Sequence, residues 1–238
     1  MSLSSLGPTC FHTPTLADNM LSDKRSFERP RVQSEMQKKV RDAKCQEMLD
    51  AGIIEPAPHA SSAACPTIVL KKGPDGQWSD SRFCVDYKQF NLLSASQHTH
   101  FPLMDDLFQA VGDSQVFSKI DLRSGYMQIP VADDTKDHTA FWWGTSLYRY
   151  VRMPFGMKQA PAAFQRVMDR ELGGAGLFHC TKTFLDDILI HSPTIEQHLI
   201  DIRAVLDVLH GCGLRAHPEK SMFMIDTVDF LGFDVSHW

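Results

Sequence analysis

Thr181–Ser192 reads TKTFLDDILIHS, an apolar stretch with two adjacent carboxylates, Asp186 and Asp187, in its middle. The flanking residues Phe184–Leu185 and Ile188–Ile190 are typical of a buried strand, and burying even one unpaired carboxylate is costly. Two interpretations are open at this point. The stretch is either a β-hairpin with Asp-Asp at its tip, since Asp favours turns, or a strand pair that places its carboxylates for a cation.

The composition predicts a soluble, folded, intracellular protein. The 238 residues are 43% hydrophobic and 22% charged, enough for one large domain or two closely packed subdomains. No apolar run approaches the ~20 residues that cross a bilayer, and the N-terminus lacks the basic-then-apolar layout of a signal peptide. The six cysteines are scattered without a CxxC pair, which predicts reduced thiols and argues against a disulfide framework or a zinc site.

The net charge of −5 argues against a surface coated with phosphate-binding lysines. A nucleic-acid role would therefore depend on local basic patches, of which Lys24–Lys44 is a candidate. Such a run is also typical of the solvated face of a helix, and both interpretations are kept.

The sequence periodicity predicts alternating helices and hairpins after a disordered tail over residues 1–22. Helices are predicted at 33–51, 102–111, 123–128, from Pro161 through Leu172, and at 194–211, where the last carries an apolar repeat at Ile195, Leu199, Ile202, Leu206 and Leu209. Strands are predicted at 67–70, 82–87, 116–121, 140–143, 148–153, on both sides of Asp186–Asp187, and as a final pair at 222–224 and 228–235.

Another carboxylate lies at the edge of an apolar strand, because the strand predicted within VFSKIDL ends at Asp121. If this strand and TFLDDILI lie side by side in an antiparallel sheet, three carboxylates converge and cannot all stay ionised alone. A pair of Mg²⁺ ions ~3.5–4 Å apart resolves the conflict and is also the apparatus of in-line phosphoryl transfer. The sequence therefore predicts a two-metal site at Asp121, Asp186 and Asp187.

Seven motifs in order resemble the reverse transcriptase domain of gypsy-type long-terminal-repeat retrotransposons: FCVDYKQFN, FPLMDDL, SKIDLRSGYMQIPV, HTAF, MPFGMKQAPAAFQRVMD, FLDDILIHS and FLGF. The resemblance covers about Lys38 to Val235. It implies an α+β right-hand polymerase fold with an antiparallel palm sheet backed by helices and a fingers subdomain. The fingers are expected at about 23–100 and 130–157, and the palm at about 101–129 and 158–238.

The resemblance also implies roles for residues around the aspartates. Asp121, Asp186 and Asp187 would bind the metals, with the carbonyl of Leu122 as a further ligand. Backbone N–H groups of Ser124 and Gly125 would meet the triphosphate, although Gly125 alone could simply permit a tight chain reversal. Tyr126 would lie under the nucleotide sugar and exclude a 2′-hydroxyl; the alternative is a core aromatic.

Other matching positions lie in the fingers and near the primer. Arg82 and one of Lys71 or Lys72 would clamp the phosphates. Phe155, with Gly156 and Lys158, would line the nucleotide pocket and support the template; Phe155 stands where retroviral enzymes commonly have Gln. The residues expected to contact the primer end are Phe184, Leu231 and Gly232. Phe184 stands where the family usually has Tyr, and FLGF, which contains the other two, could equally be plain hairpin packing.

The reaction that this resemblance implies is templated addition of deoxynucleotides to a primer 3′ end, with two Mg²⁺ ions or Mn²⁺ as cofactors. Expected partners are an RNA or DNA template with its primer, dNTPs, and either the rest of a polyprotein or a dimer partner, because no thumb follows the FLGF motif. The cytoplasm is the expected location, with virus-like particles or the nucleus as alternatives. Two other functions stay open: an inactive retrotransposon remnant that only binds nucleic acid, and an RNA-dependent RNA polymerase, against which Tyr126 argues.

Overall fold

The computed structural model describes residues 25–72, 78–94 and 111–236, with only the backbone described for 70–72 and 78–82. The predicted tail over 1–22 and all of the predicted helix 102–111 except its last residue lie outside these ranges. The described helices are α1 (Glu35–Asp50), α2 (Lys88–Leu93), α3 (Ala160–Gly174) and α4 (Ile195–Gly211). None of them is long and apolar enough to cross a bilayer.

Eleven strands accompany these helices in the described ranges: β1 (Ile54–Pro56), β2 (Cys65–Lys72), β3 (Trp78–Asp86), β4 (Val116–Asp121), β5 (Phe141–Trp143), β6 (Ser146–Tyr150), β7 (Thr181–Phe184), β8 (Asp187–Ser192), β9 (Met222–Ile225), β10 (Thr227–Phe230) and β11 (Phe233–Ser236). All pairs between these strands are antiparallel. The structure is therefore a mixed α+β fold, as predicted.

Two compact units divide the described residues. Residues 25–72, 78–94 and 129–160 form the first, and residues 111–128 and 161–236 form the second. The first unit contains the β2–β3 hairpin and a sheet of order β1-β6-β5. α1 begins with a reciprocal capping box between Ser34 and Gln37 and buries Cys45 and Met48.

The second unit is built on a four-stranded sheet of order β7-β8-β4-β9. α3 contributes the apolar face that its sequence predicts, since Phe164, Val167, Met168 and Leu172 are fully buried. A second apolar cluster joins Phe117 and Leu189 to the β10–β11 hairpin through Val228, Phe230 and Val235.

α4 forms as predicted, and Thr194 caps it by accepting a hydrogen bond from the Gln197 N–H. Its predicted apolar repeat does not form one buried face, however: Leu209 is buried, whereas Ile195, Leu199 and Leu206 are exposed. The buried positions are instead His198, Asp201, Val205 and Leu209. Two polar residues can lie on the inner face because buried serines of β4 and β8 bond to them.

The last strands also differ from the prediction of one pair between 222–224 and 228–235. β9 joins the four-stranded sheet beside β4, while β10 and β11 pair with each other around a turn at Leu231–Gly232. The reason is local: Asp229 accepts a hydrogen bond from the Gly232 N–H, which closes a tight hairpin within the predicted second strand.

Candidate active site

The candidate active site lies where β4 and β8 end side by side. Asp121, the last residue of β4, is paired directly with Asp187, the first residue of β8. Residues opposite each other in an antiparallel ladder have Cβ atoms about 4.5–5.5 Å apart on one face of the sheet. The sheet therefore places these two carboxylates next to each other.

Asp186 stands at the tip of the β7–β8 hairpin. The pairing of Phe184 with Asp187 leaves only Leu185 and Asp186 in the turn, and the Asp186 side chain is exposed. The Asp186 carbonyl accepts a hydrogen bond from the Leu122 N–H at 3.0 Å, which fixes the turn against the end of β4. The stretch is thus both a hairpin and a carboxylate cluster, and the cost of burial falls mainly on Asp121 and Asp187.

The backbone of this turn is strained. Leu185 has φ of 54°, in the left-handed region that costs a non-glycine residue about 1–3 kcal/mol. Gln165 of α3, which is buried, accepts a hydrogen bond from the Leu185 N–H at 3.3 Å. The amide of Gln165 donates in turn to Thr183 Oγ1 at 2.9 Å, so one side chain connects the helix to the strand and to the turn.

Two lysines partly neutralise the half-buried aspartates. Lys119 Nζ lies 3.2 Å from Asp187 Oδ2 and also donates to the Asp229 carbonyl of β10 at 3.3 Å. Lys220 Nζ lies 3.7 Å from Asp121 Oδ1, but its side chain is 62% exposed. Burial raises the pKa of Asp187, Lys119 opposes this shift, and the carboxylates of Asp186 and Asp121 add to it. Negative charge is therefore incompletely balanced at this end of the sheet.

These residues fit a divalent metal ion. The three carboxylates are hard oxygen donors, which Mg²⁺ prefers. Leu122 lies beside the Asp186 turn, because its N–H donates to the Asp186 carbonyl. Among the described residues, only the ligand atoms of His179, Cys180 and Asp201 all lie within 4.8 Å of one another. The carboxylate oxygens of Asp121, Asp186 and Asp187 are therefore spaced more widely than this.

The turn after β4 packs against Asp186. A Cβ added to Gly125 would lie 3.0 Å from Asp186 Cβ and 3.1 Å from Phe164 Cζ, so only glycine fits without displacement. Ser124 precedes it with φ of 50°, and its carbonyl accepts from the Met127 N–H. Close approach, and not only chain reversal, is thus the requirement at Gly125.

Tyr126 follows in a 3₁₀ turn and is half-buried. Its ring meets Phe164 edge to face, with centroids 5.4 Å apart. Burial, with a smaller contribution from Asp186, raises the pKa of the Tyr126 phenol to about 12. The phenol is therefore neutral near pH 7 and lies in the electrostatic field of the aspartates.

Gln128 is a site-building residue that the sequence reasoning missed. It is buried, and its amide donates to the carbonyls of Arg123 and Arg215 at 2.8 and 3.0 Å. Its oxygen accepts from the Arg215 N–H at 2.7 Å. It is a polar residue within the apolar run YMQIPV, and this is the sequence signal that could have identified it.

The β10–β11 turn is connected to the same end of the sheet through Lys119. Leu231 and Gly232 both have positive φ, 57° and 80°, which is typical of a two-residue hairpin turn. Leu231 and Phe184 pack against the apolar cluster that contains Phe230. Leu231 and Phe184 therefore both pack within their hairpins.

The remaining site residues lie in the first unit. Phe155 is 50% exposed, and Gly156 has φ of 91°. Asn91 holds this loop with both ends of its amide, donating to the Gly156 carbonyl and accepting from the Lys158 N–H, each at 2.8 Å. An open cleft borders the loop on the side of Tyr87 and Lys88.

The three predicted phosphate-binding residues are only partly described. Lys71 and Lys72 end β2, and Arg82 lies opposite Val69 in β3, so all three belong to one hairpin. Their side chains lie outside the described part of the chain.

Comparison with known sequences identifies a family match and several relatives. The profile of the family "Reverse transcriptase (RNA-dependent DNA polymerase)" matches residues 69–235, which is more than half of the chain. The chain is 35% identical over 192 residues to the retrovirus-related Pol polyprotein from transposon 297 of Drosophila melanogaster, covering 80% of this chain and 18% of that polyprotein. It is 36% identical over 151 residues to polyprotein P3 of Commelina yellow mottle virus, covering 63% of this chain and 8% of that polyprotein. The chain thus spans under a fifth of the length of these relatives.

Solved structures share the fold. The chain superposes on the native prototype foamy virus protease-reverse transcriptase with a TM-score of 0.81 at 20% identity, over 98% of this chain and 30% of that one. The foamy viral enzyme in complex with an RNA/DNA hybrid gives a TM-score of 0.79 at 21% identity, with the same coverages. The fold predicted from the motifs, that of fingers and palm, is confirmed.

Proposed function

The chain belongs to the reverse transcriptase (RNA-dependent DNA polymerase) family, and from this premise we propose that it adds deoxynucleotides to the 3′ end of a template-bound primer. In this proposal the first unit is the fingers and the second unit is the palm. The observation that carries the proposal is the direct pairing of Asp121 with Asp187, beside the Asp186 turn that the Leu122 N–H holds in place.

Asp121, Asp186, Asp187 and the Leu122 carbonyl would hold two Mg²⁺ ions, with Mn²⁺ as a substitute. When bound, the ions would lower the pKa of the primer hydroxyl and neutralise the triphosphate and the leaving pyrophosphate. The strained Leu185 turn and its bond to Gln165 keep Asp186 at the end of β4, so little reorganisation is needed at the moment of reaction.

The surrounding residues select and position the nucleotide in this proposal. Backbone N–H groups of Ser124 and Gly125 face the triphosphate, the Tyr126 ring lies under the sugar, and the clamp comes from Arg82 with Lys71 or Lys72. Phe155, Gly156 and Lys158 line the pocket, on a loop that Asn91 braces. Phe184, Leu231 and Gly232 contact the primer end.

We further propose a gypsy-type retrotransposon origin, with the remaining polyprotein or a dimer partner completing the nucleic-acid grip. The similarity to transposon polyproteins and the phenylalanine at position 155 support this assignment. An RNA or DNA template is supported by the foamy viral structures, which include complexes with an RNA/DNA hybrid and with double-stranded DNA. The proposed location is the cytoplasm.

Primer extension on an RNA template tests the proposal. The chain is incubated with labelled primer-template and either dNTPs or rNTPs, in Mg²⁺, Mn²⁺ or EDTA. The expected result is metal-dependent extension with dNTPs only. Primer-template binding without extension under any metal would instead identify an inactive, nucleic-acid-binding remnant, and efficient extension with rNTPs would identify an RNA polymerase.

A further inference from the structure

His179, Cys180 and Asp201 form a cluster of metal-ligating side chains in the second unit. Cys180 immediately precedes β7, whose other end leads into the Asp186 turn. Four strand residues at about 3.3 Å each therefore separate this cluster from the candidate active site. From the geometry of this cluster we propose that it is a separate binding site for a transition-metal dication of the zinc class.

The distances suit a small tetrahedral ion. One ligand atom from each of the three residues lies within 4.8 Å of the other two, and His179 Nε2 is 3.9 Å from Asp201 Oδ1. Zinc bonds of about 2.0–2.3 Å at tetrahedral angles separate neighbouring ligands by roughly 3.3–3.8 Å. The 3.9 Å between His179 Nε2 and Asp201 Oδ1 lies just above this range.

The ligands are already oriented by their other hydrogen bonds. His179 Nδ1 is 2.9 Å from the Gly176 carbonyl, which can only accept, so Nδ1 carries the proton and Nε2 presents its lone pair to the cluster. Asp201 Oδ1 accepts from Gln197 Nε2 at 2.9 Å, and Oδ2 accepts from Ser192 Oγ at 2.6 Å. A backbone carbonyl behind the histidine and donors behind the carboxylate are the partners that metal ligands usually have.

The hydrogen-bond directions behind Asp201 leave it as the end acceptor of a neutral chain. The Met224 N–H donates to Ser118 Oγ, which donates to His198 Nε2. His198 Nδ1 then donates to Ser192 Oγ, which donates to Asp201. Each hydroxyl therefore gives one proton and accepts one, and no positive charge enters from this side.

Asp201 consequently lacks a strong counter-charge although it is 4% exposed. Among the described residues its only ion-pair contact is His179, at 3.9 Å and on the exposed side of the cluster. A buried carboxylate without a close cation is costly. A bound dication would supply that charge, and this is the second, independent reason for the assignment.

The donor set selects the class of ion. A thiolate and an imidazole favour zinc, cobalt and similar ions over Mg²⁺ or Ca²⁺, which prefer oxygen. The Cys180 thiol must give up its proton to bind a metal ion, because the thiolate is the ligand. Binding releases that proton to solvent. Three protein ligands leave a fourth position for water, on the side where His179 is exposed.

Such an ion would join the turn at Leu177–His179 to α4, and so brace the start of the catalytic hairpin. It would also revise the expectation from cysteine spacing, because Asp201 lies on α4, 21 positions after Cys180 in the chain. Motif spacing detects ligands that are close in sequence, whereas this set is assembled by the fold.

Cobalt titration of the EDTA-treated chain tests the proposal. We expect one equivalent of Co²⁺ to produce a thiolate-to-cobalt charge-transfer band in the near ultraviolet, and stoichiometric Zn²⁺ to remove it. Cys180→Ser should abolish the band, and His179→Ala, a change at an exposed side chain, should weaken Co²⁺ binding at least tenfold. Cys212→Ser, at another buried thiol of the same unit, is the matched control and should leave the band unchanged.

The readout separates this site from the aspartates, because oxygen ligands give no thiolate band. Absence of a saturable band in the parent chain, or its persistence in Cys180→Ser, would overturn the proposal and leave a hydrogen-bonded cluster without a cation. If Cys180→Ser does not fold, the test depends on His179→Ala. Unchanged Co²⁺ affinity in the His179→Ala variant would also overturn the proposal.

Discussion

Gly125→Ala should slow the proposed primer extension while leaving the chain folded. The added Cβ would lie 3.0 Å from Asp186 Cβ and 3.1–3.2 Å from the Phe164 ring. Carbon atoms pack best at about 3.5–4.0 Å, so one of these groups must retreat by roughly 0.5–1 Å. Phe164 is fully buried and cannot move easily, whereas Asp186 is exposed in a turn, so the displacement falls on the carboxylate.

The expected magnitude follows from that displacement. A misplacement of about 1 Å at a reacting centre can cost on the order of 10²-fold in rate, so we expect kcat to fall about 10- to 100-fold. Overpacking a buried position destabilises by about 1–3 kcal/mol, which leaves most molecules folded if the parent has ordinary stability. The loss should therefore appear in the rate per folded molecule.

The assay is single-turnover primer extension, with circular dichroism and a melting curve to measure the folded fraction. Gly174→Ala is the matched control, because nothing lies within 4 Å of its added Cβ, and it should keep parental activity. Adding Phe164→Leu to Gly125→Ala should restore part of the rate by opening space beside the new methyl group. A folded Gly125→Ala enzyme with more than half the parental kcat would refute the packing argument.

Three further changes test individual parts of the site. Tyr126→Ala should raise incorporation of rNTP relative to dNTP at least tenfold, measured as the ratio of kcat/KM values. This corresponds to about 1.4 kcal/mol of transition-state free energy. An unchanged ratio with a large fall in Tm would instead assign Tyr126 to packing with Phe164. Leu185→Gly should raise the free energy of unfolding by about 1 kcal/mol through relief of the positive φ, and lower kcat because the turn loosens; a lower Tm would contradict the strain. Gln165→Met should lower kcat with little change in the KM for dNTP. It should also lower the free energy of unfolding by about 1–3 kcal/mol, because the Leu185 N–H and the Thr183 hydroxyl lose this partner. A change in KM alone would show that Gln165 does not position the aspartates.

The sequence predicted those features of the structure that depend on local patterns. VFSKIDL was interpreted as an apolar strand that ends at a carboxylate, and TFLDDILI as an apolar stretch with two carboxylates in its middle. The ladder pairs Asp121 of the first with Asp187 of the second. α3 buries the face that its 3–4 spacing indicates, because every residue of that face is apolar and nothing competes for the position.

Features that depend on partners distant in the chain were not predictable in this way. His198 and Asp201 can lie on the inner face of α4 because Ser118 of β4 and Ser192 of β8 form hydrogen bonds with them. The residue pattern within α4 contains no information about these serines. The same limit applies to Gln165, whose bond partner Leu185 lies beyond the end of α3. The turn at Asp186 was one of the two interpretations that the sequence left open, but the pattern did not show that the turn holds Leu185 and Asp186 while Asp187 begins the next strand.

Asp186→Asn shows whether Asp121, Asp186 and Asp187 form the proposed metal-dependent polymerase centre. Primer extension under single-turnover conditions in Mg²⁺ should fall by about 10²–10³-fold or more. The Tm in EDTA should stay level or rise, because one of three neighbouring negative charges is removed. Asp207→Asn, at an exposed position of α4, is the control and should match the parent. If Asp186→Asn retains most of the parental extension rate, the three aspartates are not the metal-binding centre.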